Sequence, residues 1–113
     1  MISILVDPGY AFDYFAILLI KQKHHPALEK YIDHLQRSIC SQIGHELWQT
    51  IISSEEFDHL LKANQTVFDS VELAKTNNIT AKEVDQKNTS RFLAKIELQK
   101  KFFHNNHTQE WKT

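Results

Sequence analysis

A chain of 113 residues with 42% hydrophobic and 24% charged side chains has the size and balance of one folded domain, which excludes a wholly disordered polymer. Its 13 basic residues against 14 acidic ones leave a formal net charge of -1, so no basic excess points to generic nucleic-acid binding. The single cysteine, Cys40, excludes an intrachain disulfide and a four-thiol metal site, and it predicts a reducing, cytoplasmic setting.

Only Gly9, Gly44, Pro8 and Pro26 punctuate the chain, which argues for long helices rather than many short strands. The expected fold is all-α: one domain over residues 1–113, a small bundle of about four helices with an antiparallel C-terminal helical hairpin. Ahead of the helices, Ile2, Ile4 and Val6 alternate with Ser3 and Leu5 and predict a short extended N-terminus. That segment either runs over the core or pairs with another chain.

Asp7-Pro8 reads as a helix start, with Asp7 as cap and proline in the first turn. The first predicted helix runs to about Lys23, and Phe12, Phe15, Ala16, Leu19 and Ile20 make it apolar enough to be central. Its most apolar run, Tyr10 to Ile20, is too short to span a membrane and contains Asp13. It also lacks the features of a signal peptide.

His24-His25-Pro26 breaks the chain. A second helix follows from about Ala27 to Ile52, with Leu28, Ile32, Leu35, Ile39, Ile43 and Leu47 at helical spacing and Gly44 as a place to bend. Ser53 with Glu56, and Thr80 with Glu83, are capping boxes. They start a third helix, to Lys75, and a fourth, from about Ala81 to Phe103, joined by the turn Thr76-Asn77-Asn78-Ile79. Residues 104–113 form a polar tail that includes Trp111.

Two stripes carry polar residues where apolar ones belong. Asn64 interrupts Phe57, Leu60, Leu61, Val67, Phe68 and Val71, and Asn88 and Arg91 interrupt Val84, Phe92 and Ile96. An amide or guanidinium inside a protein is costly without partners, so these residues either fix how the helices dock or line a polar pocket. Asp13 on the first helix is the expected counter-charge for Arg91. In the pocket version, Asp13, Asn64, Asn88 and Arg91 line the site. Arg91 then grips a carboxylate or phosphate, and the amides hold hydroxyls. Lys95, Lys100 and Lys101 read as a solvated face.

No catalytic constellation emerges, and neither a cofactor nor a metal is expected. Glu56 and His59 have the Glu-x-x-His spacing of di-iron bundles, but no second helix repeats it. The magnesium pattern of helical nucleotide pyrophosphohydrolases fails at His59 and at Lys75.

The polar stripes also carry a resemblance. Asp13 to Lys21 fits D-x-x-x-I-L-x-x-K, Leu60 to Asp69 fits L-x-x-x-N-x-x-x-[WF]-D, and Asn88 to Glu97 fits N-x-x-R-x-x-x-K-x-E. In this order the segments resemble a family of small uncharacterised helical proteins whose members occur beside bacterial surface-polysaccharide genes and in marine phages. The chain departs from that pattern at Ser70, where an acidic pair commonly follows the middle motif. The resemblance implies a fold and a setting rather than a reaction. The expected function is therefore a non-catalytic interaction or adaptor protein, self-associating, with Trp48, Phe102, Phe103 and Trp111 as aromatic contacts for a protein partner. The alternative is a binding protein or enzyme for a small anionic or sugar-like molecule, using the inward polar set.

Overall fold

The computed structural model describes residue 2 and residues 4–104. The described residues form helices and contain no strand: α1 (Pro8–Gln22), a single 3-10 turn (Pro26–Leu28), α2 (Glu29–Ile43), α3 (His45–Ile52), α4 (Glu55–Lys75) and α5 (Ala81–Phe103). No helix among them is long and apolar enough to cross a membrane.

The expected second helix is two helices. Gly44 stands at φ 93 and ψ 150, a backbone region closed to residues with a Cβ, so the helix breaks there instead of bending. The same glycine serves both ends. Its N–H donates to the Cys40 carbonyl at 2.8 Å, and its carbonyl accepts from the Trp48 N–H at 3.1 Å.

The caps follow local chemistry, with two corrections. Thr80 opens α5 as expected, its hydroxyl accepting from the Glu83 N–H at 3.2 Å. At α4 the cap is Ser54, one residue later than the expected box, accepting from the Phe57 N–H at 3.1 Å. Ser54 has the extended backbone that a cap requires (ψ 159), whereas Ser53 is already helical (ψ 0). Asp7 makes no side-chain cap at α1; a residue from α5 takes that role. The turn between α4 and α5 uses Asn77 in the left-handed region (φ 61).

The core forms around Phe12. Its ring stacks on Trp48 at 5.5 Å and meets Phe57 edge-on and Phe103 at 6.4 Å. Phe15 packs edge-on to Trp48 at 4.9 Å. Trp48 is therefore not an exposed contact: it has no solvent exposure at all. The break at Gly44 starts a new helix whose buried side is Trp48 and Ile51; the indole packs against the two phenylalanine rings, and its Nε1 is enclosed without an acceptor among the described residues. Phe102 and Phe103 are half-buried against the same core, and Trp111 lies outside the described residues. The N-terminal segment is not laid over the core as one expectation had it, since Ile2, Ile4 and Leu5 are exposed.

A candidate functional site: a cleft floored by a buried polar cluster

Helical spacing brings three polar side chains inside. Asp13 points the same way as the buried Ala16 and Ile20, Asn64 the same way as Leu60, and Arg91 precedes the buried Ala94 and Lys95 by one turn. Where α1, α4 and α5 meet, these residues touch. Asn64 Nδ2 donates to Asp13 Oδ1 at 2.8 Å and to the Leu60 carbonyl at 3.0 Å. Arg91 Nη1 lies 3.9 Å from Asp13 Oδ2, a looser ion pair. Asp13 and Asn64 are buried, while the Arg91 side chain keeps 25% of its surface exposed.

Above this cluster lies a cleft of about 360 Å³, within the range of roughly 300–1,000 Å³ common for small-molecule sites. Asn64 and Arg91 line it, with Lys21 and Glu72 as further polar residues and aliphatic or aromatic side chains of α1 and α4 as the rest. Asp13 does not line it; it lies behind Asn64 and Arg91 and orients them. At the end of α1, His24 stacks flat on the lining residue Phe68 at 5.2 Å, and Lys23 Nζ donates to Gln65 Oε1 at 3.2 Å. Those contacts hold the chain beyond α1 onto α4.

Asn88 is not brought into the cluster. It is half-buried and donates weakly to the Val84 carbonyl of its own helix at 3.4 Å, and it does not line the cleft. The reason is translational: it stands nearly one turn before Arg91 on α5, and Arg91 already takes the place opposite Asp13.

A second set of buried polar residues lies on α5, outside the expected inward set. Lys95 and Gln99 on α5 are 1% and 0% exposed, so Lys95 does not belong to a solvated face. Its Nζ lies 5.1 Å from the Phe92 ring centre and 5.8 Å from that of Tyr10. Gln99 Oε1 accepts from the Gly9 N–H at 2.8 Å, satisfying a donor that the first turn of α1 leaves open. The signal was available: Lys95 and Gln99 continue the Arg91 stripe at intervals of four.

His59 meets Glu97 at 3.4 Å and Glu56 meets Lys101 at 3.2 Å, so the Glu-x-x-His pair is engaged elsewhere. Among the described residues no three His, Cys, Asp or Glu side chains converge. The Glu56 carboxyl is held below its ordinary value, first by its own backbone N–H near the start of α4 and then, against the cost of desolvation, by Lys101.

No family model, no curated protein and no solved structure matches this chain.

Proposed function

We propose that this chain is a small-molecule binding domain whose ligand occupies the cleft between α1, α4 and α5. The architecture behind the proposal is an antiparallel α4–α5 hairpin with α1 along its groove. The pairs Glu56–Lys101 and His59–Glu97 support the hairpin. Gly9–Gln99, Tyr10–Lys95 and Asp13–Arg91 support α1 running against α5.

One observation carries the binding function: Arg91 is positioned but underused. Of the five N–H donors of a guanidinium, one nitrogen faces Asp13 at a loose 3.9 Å, and Nε is enclosed without an acceptor among the described residues. A guanidinium that served only to lock the helices would be expected closer to its carboxylate. The resemblance motifs support the same reading. Ile17 and Lys21 belong to the first motif, Asn64 and Phe68 to the second and Arg91 to the third, and all five line the cleft.

The test is a titration of ¹⁵N-labelled protein with small carboxylates, sugars and phosphate, read by amide shifts. Shifts concentrated at Ile17, Lys21, Asn64, Phe68 and Arg91 are expected for at least one class. Arg91→Leu is expected to retain the helical spectrum and lose those shifts. A variant that unfolds assigns Arg91 to helix docking alone, and a panel that moves none of these amides removes the proposal.

A self-associating adaptor is a second reading, favoured by Ile2, Ile4 and Leu5, which stand 91%, 73% and 91% exposed ahead of α1. The lone, half-buried Cys40 fits a reducing, cytoplasmic setting for either function. A native mass at micromolar concentration separates them: a dimer supports the adaptor, and a monomer removes self-association.

A further inference from the structure

We propose that the occupant of the cleft is a small amphipathic monoanion, a single carboxylate on an apolar body; this rests on the cleft being a ligand site at all. Three observations narrow the class.

The first is the wall. Ile17 and Ile20 on α1 face Val67, Phe68 and Val71 on α4 across the cleft. Five apolar side chains offer no hydrogen bonds to a sugar's hydroxyls, and they gain by covering a hydrocarbon tail.

The second is the way the amide is used. Asn64 spends its Nδ2 on Asp13 and on the Leu60 carbonyl. What it offers a ligand is its carbonyl oxygen, an acceptor, so it cannot hold an anion. The charged head therefore falls to Arg91 and Lys21.

The third is the count of charge. Both carboxylates near the cleft are already engaged: Asp13 by Asn64 and Arg91, and Glu72 by Lys75 at 3.1 Å. Lys21, exposed at the last turn of α1, is the cation in surplus. One surplus positive charge matches one negative charge. A phosphate dianion would bring a second charge close to Asp13 and Glu72 with nothing to balance it. Binding would also draw Arg91 toward the cleft, where its remaining N–H donors meet an acceptor in the fork geometry that suits a carboxylate.

The probe is octanoate, with n-octylamine, octanol, inorganic phosphate and glucose as comparisons, each followed by calorimetry and by the amide shifts at the cleft. Octanoate is expected to bind at least tenfold more tightly than octanol, with octylamine, phosphate and glucose weaker still. Lys21→Met, a change at an exposed position, is expected to weaken octanoate at least tenfold and leave octanol unchanged. Equal binding of octanoate, octanol and octylamine would overturn the head-group assignment while leaving the cleft a ligand site. Phosphate or glucose binding ahead of octanoate would overturn the class. Failure of every probe and of the wider panel to move the cleft amides would remove the ligand site, and this proposal with it.

Discussion

Gln99 and Gly9 stand ninety positions apart, yet the side chain of one caps the helix that the other begins, through an N–H to Oε1 bond of 2.8 Å. The contact explains why position 9 holds glycine. A Cβ there would lie 2.7 Å from Gln99 Oε1 and 3.1 Å from both Gln99 Cβ and Lys95 Cγ. In an open helix, alanine would be favoured over glycine by about 1 kcal/mol. Here the sign is expected to reverse, with Gly9→Ala costing about 1–3 kcal/mol through overpacking. Gln99→Leu is expected to cost a similar 1–3 kcal/mol, roughly the penalty of a buried N–H left without an acceptor. Urea denaturation measures both, and an unchanged midpoint for Gly9→Ala would mean that α1 and α5 do not approach this closely.

Gly44 tests a different use of glycine. Nothing lies within 4 Å of where its Cβ would be, so space is not the constraint. Its φ of 93 is, and Gly44→Ala is expected to cost about 1–3 kcal/mol from the backbone alone. The change should move the denaturation midpoint and leave the slope intact. No loss of stability would imply that α2 and α3 join into one helix when alanine allows it.

Asp13 and Asn64 form the buried end of the polar cluster. Asn64→Leu leaves the carboxylate with only the loose Arg91 contact and is expected to cost about 3–5 kcal/mol, the scale for an abandoned buried charge. Adding Asp13→Leu removes the stranded group, so the double variant should be less unstable than the two single losses summed. Simple additivity in a double-mutant cycle would show that the two side chains do not depend on one another.

Glu56 gives a pH dependence. Its folded-state pKa lies below the ordinary 4.5 because its own backbone N–H and Lys101 favour the ionised form. A lowered carboxyl stabilises the fold above about 4.5, and that contribution fades as pH falls through the lower folded value. Glu56→Gln is therefore expected to be less stable than the parent at neutral pH, with the gap narrowing as pH falls below 4.5. A gap between the two melting curves that stays constant with pH would contradict the assignment.

The legible part of this protein is what repeats every three or four residues. The apolar face of α1, the cap Thr80, and the inward direction of Asp13, Asn64 and Arg91 all follow from local backbone geometry, which neighbouring residues specify among themselves, while the cap of α4 falls at Ser54 instead of the expected Ser53. Trp48 shows where that stops. Its helix changes course at Gly44, and periodicity along a stripe says nothing of a stripe's direction after a break. Lys95 and Gln99 continue the Arg91 stripe, but a lysine's usual place is in water, so position along a stripe does not by itself bury it.

By itself the sequence determined that the described chain is helical, roughly where α1, α4 and α5 start and stop, and that Asp13, Asn64 and Arg91 turn inward, because caps and periodicity act over a turn or two. Only the tertiary structure decided that Asn64 meets Asp13, that Arg91 rather than Asn88 stands opposite, that Gln99 closes the start of α1, and that a cleft is left open between Ile20 and Val71. Those outcomes depend on how far each helix slides along its neighbours. That distance is set by the fit of all the buried side chains at once, with Phe12 and Trp48 foremost, and not by any stretch of chain alone.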